Sequence, residues 1–482
     1  MSKKDKSELI SFEEYLSRVK ADPSIVKNAH ARIYEAIIKK GFKIIGAEDD
    51  ERLARALGLN EGEKITKYEA FADFYDIERT LEKIVAYFKA AKSGGEASRL
   101  FLFLLGPPSS GKSSLVRAIF SALQDEEIYY IEGCPIREEP LNLIPRKARE
   151  QIETELKVKV PHNGDICSVC RKRVKEEFRG DYKKFAVKKH HISVRASRFF
   201  ASVDPTDPMS FDKAKFIGGV TLGEKEGDPS AHEMDGAFHR ANRGLLEIVE
   251  IFKNTPEVLY LLLEATQSKT IESPAGRTEK IFIDVAIIAH SNEAEWEKFI
   301  SEKRNEALID RLILVKVPYN IRLDEQIRIY EKICGRNGYH IAPQTLEVLA
   351  AFTVLTRIKP SAKIKNLIDK MRIYNGEDVG IDLSDVNELK NESPDDGMFG
   401  LSNRDGAQIF EMAFANQPPS EHICVDAPKI LKIAAEFVKE YPILGDEEKN
   451  KYLNVLDGVR NWCAEKIVRQ FASFSDCFPE VC

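Results

Sequence analysis

The sequence contains no apolar run that is long enough to cross a lipid bilayer. Its longest apolar stretches, residues 100–105 and 258–263, are far shorter than the roughly 20 residues that a membrane helix needs. The first twenty residues also lack the apolar segment of a secretory signal peptide. From these absences we expect a soluble, cytoplasmic protein without a membrane partner.

Cysteine and net charge are low as well. Eight cysteines are spread over 482 residues, and only Cys167 and Cys170 form a close pair. This spacing excludes the dense disulfide framework of a small secreted domain. The formal net charge is −6 with 31% charged residues, so the chain as a whole gives no electrostatic reason to expect a nucleic-acid partner.

A loop rich in glycine, proline and serine is the most informative feature that is present. It follows the apolar run 100–105 and precedes a segment, 114–120, with the pattern of a helix. In this setting the backbone N–H groups of the loop and the helix N-terminus bind phosphate oxygens. We expect Lys112 to reach the phosphates and the Ser113 hydroxyl to bind Mg²⁺. The predicted nucleotide-binding residues are Gly106, Pro107, Pro108, Ser109, Ser110, Gly111, Lys112, Ser113 and Ser114.

Hydrolysis of a bound nucleotide also requires acidic residues on a neighbouring strand. The apolar segment 245–251 contains Glu247 and Glu250. Val249 stands where an Asp usually precedes the catalytic Glu. We take Glu247 as a Mg²⁺ ligand. An alternative is that both glutamates face solvent on a helix.

A second acidic candidate is Asp284, which precedes the apolar run 285–289. We prefer the first segment, because the second run ends in His290, Ser291 and Asn292. A polar strand end of this kind suits the neighbouring strand, where it senses the γ-phosphate. His290 itself is either a base or, more commonly for a histidine at a strand end, a structural residue.

The order of apolar and helical segments predicts an α/β fold. Strand-like segments at 245–251, 281–289 and 312–317 alternate with helical stretches, which is typical of a parallel sheet with flanking helices. We divide the chain into a helical N-terminal region (1–65), a nucleotide-binding core (66–320) with an insertion at about 134–235, a helical lid (321–424) and a helical C-terminal segment (425–482).

Several segments together resemble the PrkA-type serine protein kinase family. Besides the phosphate-binding loop they are ISFEEYL (10–16), DPSI (22–25), ANRGLLE (241–247), AHSNE (289–293), NEALIDR (305–311) and KMRIY (370–374). The resemblance implies an AAA+ type ATPase module that is fused to a C-terminal region, from which the kinase name of the family derives. Members of the family usually continue well beyond residue 482, and the resemblance weakens after about residue 445. We therefore expect a chain that is shortened at its C-terminus.

The resemblance also implies roles for individual residues. By position, Glu250 orients the attacking water and Asn292 is the first sensor. Arg311 resembles the arginine finger that reaches the nucleotide of a neighbouring subunit, and Arg404 resembles the second sensor in the lid. A fixed guanidinium at either place stabilises charge on the transferring phosphoryl group. The alternative for each arginine is an ordinary surface ion pair.

The Cys167-Ser168-Val169-Cys170 segment is half of a zinc-ribbon pattern. Two thiolates need two further ligands to complete a tetrahedral zinc site. The candidates for these ligands are Cys134, His162, His190 and His191. The alternative is a pair of ordinary thiols.

From these observations we expect a Mg²⁺-ATP-dependent AAA+ ATPase that acts on a protein partner or client and forms a homo-oligomer. One alternative is a serine/threonine protein kinase that uses the same ATP site. It depends on the resemblance alone, because the sequence has no G-x-G-x-x-G loop, no His-Arg-Asp and no Asp-Phe-Gly. The other alternative is a nucleotide-dependent switch with little turnover, which the valine at position 249 favours.

Overall fold

The computed structural model describes residues 7–160, 166–196, 198–205, 213–220, 232–254, 256–272, 280–335, 340–380, 383–416 and 424–477. None of its helices is both long and apolar enough to span a membrane within those ranges. The helices are α1 Phe12–Ala21, α2 Ala29–Lys40, α3 Glu51–Leu57, α4 Glu78–Ala91, α5 Lys112–Ala122, α6 Arg146–Leu156, α7 Ser168–Glu176, α8 Ala214–Ile217, α9 Ala237–Ala241, α10 Pro256–Gln267, α11 Glu293–Ile300, α12 Glu306–Ile309, α13 Leu323–Cys334, α14 Thr345–Thr356, α15 Leu367–Tyr374, α16 Leu383–Glu392, α17 Asn403–Ala415, α18 Ala427–Glu440 and α19 Asp446–Cys477.

The strands are β1 Glu8–Ser11, β2 Phe42–Gly46, β3 Lys64–Tyr68, β4 Phe101–Leu105, β5 Glu127–Ile131, β6 Ala186–His191, β7 Phe200–Val203, β8 Gly219–Val220, β9 His232–Glu233, β10 Leu245–Ile248, β11 Thr270–Glu272, β12 Lys280–Phe282, β13 Ala286–Ser291, β14 Leu312–Lys316, β15 His340–Ile341 and β16 Cys424–Val425. Five of them form the central sheet in the order β14-β4-β13-β10-β7. Every neighbouring pair in this sheet is parallel. The predicted α/β fold with a parallel sheet is confirmed.

Strand β4 shows why the sheet is buried on both faces. Its five residues are all apolar and buried. Phe101, Phe103 and Leu105 join the hydrophobic cluster on one face of the sheet, and Leu102 and Leu104 join the cluster on the other face. Helices cover both faces, as a parallel sheet requires. The strand therefore reads as a continuous apolar run rather than an alternating one.

Two predicted strands have different bounds in the structure. The segment 245–251 is a strand only as far as Ile248, because the backbone at Glu250 is left-handed with φ 47°. The segment 281–289 divides into β12, which pairs with β11 in a two-stranded sheet, and β13, which lies in the central sheet. The alternative of a solvent-facing helix at Glu247 and Glu250 is wrong, since Glu247 is a buried residue of β10.

The interval 134–235 is not entirely separate from the central sheet. Strand β7 lies within it and pairs with β10, with Ala201 opposite Leu246. Strand β6 pairs instead with β5 and β1 in a three-stranded antiparallel sheet. The N-terminal region is likewise not purely helical, because β1 enters that sheet and β2 pairs with β3.

The helices after residue 321, apart from α16, form one packed unit. A single hydrophobic cluster includes Leu349 and Phe352 of α14, Phe410 of α17, Val438 of α18 and Val459 of α19. The helical pattern that the sequence shows for this part of the chain is present. The boundary drawn at 424/425 lies inside this cluster, so α18 and α19 pack with the predicted lid.

Candidate nucleotide-binding site

The phosphate-binding loop lies between the end of β4 and the start of α5. Gly111 is the N-cap of α5 with φ 93°, and no side chain caps the helix. The first N–H groups of an α-helix have no partner inside the helix, and they carry partial positive charge. The N-terminus of this 11-residue helix is therefore open to a phosphate.

Close packing holds the loop against the residues that follow β14. A Cβ atom on Gly106 would lie 2.2 Å from the carbonyl oxygen of Val317. Real Cβ atoms do not approach backbone so closely, so only glycine fits at this position without a shift of the backbone. The Tyr319 hydroxyl donates a hydrogen bond to the carbonyl oxygen of Pro108. Residues that directly follow β14 therefore help to fix the shape of the loop.

Lys112 is folded back over the loop. Its Nζ atom donates to the carbonyl oxygens of Gly106 at 2.7 Å and Pro107 at 2.8 Å, and only 7% of the residue is exposed. Burial lowers the pKa of Lys112 to about 8, and the charge of Glu250 opposes this effect. A buried ammonium favours an anionic partner, and a phosphate oxygen supplies one.

A chain of polar contacts connects α5 with β10 through β13. His290 Nε2 lies 3.2 Å from Ser113 Oγ and 3.1 Å from Glu247 Oε1. Glu247 and His290 are both almost fully buried. The pairing of Ile248 with Ala289 across the parallel strands brings these side chains together. The structure places His290 between the two predicted Mg²⁺ ligands, Ser113 and Glu247.

Glu247 and the valine at position 249 lie two residues apart at the end of β10. Val249 donates its N–H to Val203, so the strand pairing extends to that residue. Alternate residues of a strand point to the same face. Glu247 therefore points to the same face as position 249, where an Asp usually stands, but lies two residues earlier in the chain. Its side chain is longer by one carbon and reaches His290, which in turn contacts Ser113.

Glu250 and Asn292 meet at the carboxyl ends of β10 and β13. Glu250 Oε2 accepts hydrogen bonds from Ser291 Oγ at 3.3 Å and from Asn292 Nδ2 at 3.4 Å. Lys253 lies 3.7 Å from the same oxygen. The side chain of Glu250 is 24% exposed, so water reaches it. The structure therefore brings Glu250 and Asn292 together beside the charge of Lys112.

The other acidic candidate, Asp284, lies elsewhere. It precedes β13, whereas the loop lies at the carboxyl ends of the strands. Asp284 Oδ2 accepts a hydrogen bond from the backbone N–H of Ala29 at 2.8 Å, and its own N–H donates to Asn242 Oδ1. These contacts tie α2 to the base of the sheet.

Arg311 is not at the nucleotide loop of its own chain. Its carbonyl oxygen accepts a hydrogen bond from the N–H of Phe101, at the amino end of β4. The loop begins after the other end of this strand, about 16 Å away for five residues at 3.3 Å each. The structure thus leaves Arg311, which is half-buried, too far away to act on the nucleotide of the same subunit through its side chain.

Arg404 is exposed at the start of α17. Its neighbour Asn403 accepts a hydrogen bond from the buried Arg357 at 3.0 Å. Arg357 also lies 4.8 Å over the Tyr319 ring and donates to the carbonyl oxygens of Asn320 and Leu401. The start of α17 is therefore connected to the nucleotide loop through Arg357 and Tyr319.

Tyr319 and Arg357 are functional candidates that no sequence pattern predicts. Tyr319 follows the Pro318 that ends the strand segment, and no motif distinguishes it from a packing aromatic residue. Arg357 follows the apolar helix α14 and is fully buried. A lone arginine directly after an apolar helix is a weak signal that could have identified it.

The predicted zinc ligands Cys167 and Cys170 lie next to Cys134 and Glu138. The two described histidine candidates are elsewhere: His190 packs against the Tyr130 ring, and His191 Nδ1 lies 3.2 Å from the Asp125 carbonyl oxygen. The third histidine candidate, at position 162, lies outside the described residues.

Comparisons with known proteins agree with this arrangement. The family described as PrkA AAA domain matches residues 10–365. The family described as PrkA serine protein kinase C-terminal domain matches residues 368–474. The first match covers most of the chain and the second continues beyond residue 445. The family boundary between 365 and 368 differs from the boundaries at 320 and 424 that the sequence pattern suggested.

Two relatives are similar over almost the whole chain. The "ATP-dependent protease PrkA" of Bacillus subtilis (strain 168) is 33% identical over 468 residues, which cover 93% of this chain and 70% of the relative. The "Serine/threonine kinase YeaG" of Escherichia coli (strain K12) is 34% identical over 470 residues, which cover 94% of this chain and 71% of the relative. The relatives are thus longer than the present chain.

Among solved structures, NtrX from Brucella abortus in complex with ATP has 14% sequence identity and a TM-score of 0.37, with 88% of this chain and 68% of the other chain covered. A TM-score this low carries no argument. The family matches and the two relatives suffice: the chain belongs to the PrkA family, with that family's AAA domain followed by its C-terminal domain.

Proposed function

We propose that the chain is a Mg²⁺-ATP-binding AAA+ ATPase that couples ATP binding and hydrolysis to conformational change on protein partners. The observation that carries the proposal is the uncapped N-terminus of α5 with Lys112 folded over its loop. The membership in a family with an AAA domain supports it. A cytoplasmic location, where ATP and Mg²⁺ are abundant, is part of the proposal.

The residues at the loop have complementary roles in this proposal. The Lys112 ammonium leaves its two carbonyl partners and binds phosphate oxygens. Ser113 and Glu247 hold Mg²⁺, and their common contact with His290 supports a site that both can share. Bound Mg²⁺ neutralises charge on the phosphates. His290 positions the buried carboxylate of Glu247, because Val249 offers no ligand atom.

Glu250 orients the attacking water and accepts its proton. The water oxygen forms a bond to the γ-phosphorus while the bond from that phosphorus to the bridging oxygen breaks, and ADP leaves. Asn292 donates to Glu250, and in this proposal it would also contact the γ-phosphate. This role fits the partial exposure of Glu250, since a water-activating carboxylate has to remain accessible.

Two arginines extend the site beyond the core. We assign Arg311 to the nucleotide of a neighbouring subunit, a role that the distance from its own loop supports. A homo-oligomer follows from this assignment. Arg404 senses the nucleotide from the lid, and its position next to Asn403, which contacts Arg357, supports a link between the nucleotide and the helices that follow.

The test uses the purified chain with γ-labelled ATP, Mg²⁺ and a serine-rich acceptor protein. We expect free labelled phosphate that is lost in Lys112→Ala and in Glu250→Gln, whereas Lys112→Ala also loses ATP binding and Glu250→Gln retains it. The matched controls are Lys439→Ala and Glu440→Gln, both exposed at the end of α18. ATP binding without turnover in the unmodified chain would instead support a nucleotide-dependent switch.

A serine/threonine protein kinase that transfers the γ-phosphate to protein is the second candidate. The match of residues 368–474 to the PrkA serine protein kinase C-terminal domain and the name of the Escherichia coli relative favour it. Label on the acceptor that disappears in Lys112→Ala would establish phosphotransfer. A gel of the same reaction would reveal cleavage of the acceptor, the activity in the name of the Bacillus subtilis relative.

A further inference from the structure

Three thiols and one carboxylate converge at a place that the proposed ATPase chemistry does not use. Cys134 and Glu138 lie in the segment after β5, and Cys167 and Cys170 lie at the N-terminus of α7. All four residues are buried, and one ligand atom from each lies within 4.8 Å of the others. We call these four residues the cysteine cluster.

The distances in the cluster correspond to ligands of one ion. Cys134 Sγ lies 3.9 Å from Cys167 Sγ, and 3.2 Å from Glu138 Oε2. Two sulfurs on a tetrahedral zinc with Zn–S of about 2.3 Å are about 3.8 Å apart, and a sulfur and a carboxylate oxygen are about 3.6 Å apart. A disulfide would instead bring two sulfurs to about 2.05 Å.

The backbone around the cluster holds the ligand atoms in place. Cys167 is the N-cap of the nine-residue helix α7, and its Sγ accepts from the N–H of Cys170. Cys134 Sγ accepts from the N–H of Glu138. Glu138 Oε1 accepts from the N–H of Cys167 at 2.8 Å, so that Oε2 is directed towards Cys134. Hydrogen bonds of this kind orient metal ligands from outside the coordination shell.

Burial makes the cluster costly without a cation. Glu138 is 1% exposed, Cys167 and Cys170 are fully buried, and all three cysteines belong to the main hydrophobic cluster of the sheet. A buried carboxylate without a cationic partner is expensive. A divalent ion with soft thiolate ligands offsets this cost, and thiolate-rich tetrahedral sites select zinc.

We propose that Cys134, Glu138, Cys167 and Cys170 bind one structural Zn²⁺ ion. The site is closed, because four protein ligands fill a tetrahedral shell and leave no position for a substrate. The ion joins the turn after β5 to α7. It also supports the start of β10. Glu139, next to the ligand Glu138, pairs at 2.5 Å with Arg243, which lies two residues before β10.

The test measures metal in the full chain, purified without a metal-affinity tag. We expect about one Zn²⁺ per chain and its loss in the double variant Cys167→Ser/Cys170→Ser. The matched control is Cys334→Ser/Cys463→Ser, which removes two buried thiols in the helical unit and keeps the metal. A wild-type chain without stoichiometric zinc, or zinc that is retained in the Cys167/Cys170 variant, would overturn the proposal.

Two measurements on the wild-type chain keep the proposal testable if the double variant does not fold. Co²⁺ exchanged into the site should show thiolate-to-metal charge transfer with tetrahedral ligand-field bands. Alkylation mapped by mass spectrometry should leave Cys134, Cys167 and Cys170 unmodified until a strong chelator removes the metal. An octahedral cobalt spectrum, thiols that react before chelation, or a disulfide between Cys134 and Cys167 would each contradict a zinc site.

Discussion

Replacing His290 with leucine should destabilise the nucleotide-binding domain strongly, although leucine is apolar and the site is buried. His290 Nε2 lies 3.1 Å from Glu247 Oε1, and the side chains of both residues are 3% exposed. The substitution leaves the carboxylate of Glu247 in the interior without its histidine partner. A buried acceptor that loses its hydrogen-bond partner costs about 1–3 kcal/mol.

The same pair gives a second, opposite expectation for a double variant. Glu247→Leu alone leaves the buried imidazole without its carboxylate partner, which also costs about 1–3 kcal/mol. In Glu247→Leu/His290→Leu no buried polar group of the pair remains, so the double variant should be more stable than His290→Leu alone. We therefore expect a coupling free energy of about 2 kcal/mol between the two positions, within the range for residues in contact.

Urea unfolding of the wild type, the two single variants and the double variant, followed by tryptophan fluorescence, measures this coupling free energy. Trp296 packs against Phe103 in the nucleotide-binding domain, and Trp462 belongs to the helical unit. A Trp462→Phe background therefore makes the signal specific for the domain that contains the pair. His340→Leu, at an exposed histidine, is the control and should change the free energy of unfolding by less than about 0.5 kcal/mol. Additive effects of the two single variants would refute the reasoning.

Three further predictions concern the loop. Because burial lowers the pKa of Lys112 to about 8, the empty loop loses its ammonium above that pH, and the ATP affinity should then fall by up to about tenfold per pH unit. Calorimetry in buffers of different ionisation enthalpy should show proton uptake on binding. An ATP affinity that stays constant from about pH 7 to 9 would contradict this prediction. Tyr319→Phe removes one hydrogen bond to the loop and should lower the free energy of unfolding by about 1 kcal/mol, which an unchanged thermal midpoint would disprove. Gly106→Ala places a Cβ 2.2 Å from the Val317 carbonyl oxygen, so it should lower the free energy of unfolding by about 1–3 kcal/mol and weaken ATP binding. In the control Gly445→Ala the new Cβ has no atom within 4 Å, and both the stability and the ATP affinity should stay unchanged.

The sequence was sufficient to predict the loop and the strands on either side of it. Both depend on local pattern: an apolar run of fixed length, glycines at defined spacing and a helix that follows. The central sheet at β4, β13 and β14 and the helical character of the C-terminal third are local properties of the same kind. Hydrophobic periodicity is the main signal of secondary structure in a sequence, so elements with a clear local pattern can be predicted from it.

The parts that could not be predicted depend on pairing between distant segments. Strand β7 has only four residues and lies in a polar interval, so nothing but its partner β10 marks it as part of the central sheet. Glu138 joins the cysteine cluster because a turn after β5 brings it to a helix about thirty residues later in the chain. A carboxylate in an irregular segment carries no spacing signal for metal binding, unlike the Cys-x-x-Cys pair.

Under the proposed function, the contacts at the end of β14 give a route by which a change at the γ-phosphate would reach the C-terminal domain. β14 ends three residues before Tyr319, which contacts the loop at Pro108. Arg357 connects the Tyr319 ring to Asn403 at the start of α17. The helices α14, α17, α18 and α19 share one core. A displacement of α17 therefore requires the other three helices to move or repack. A nucleotide shifts such an arrangement only if it binds one state better than the other. If the chain binds nucleotide as proposed, phosphate binding would alter the hydrogen bond from Tyr319 to the loop, and the nucleotide would thereby favour one position of the helical unit.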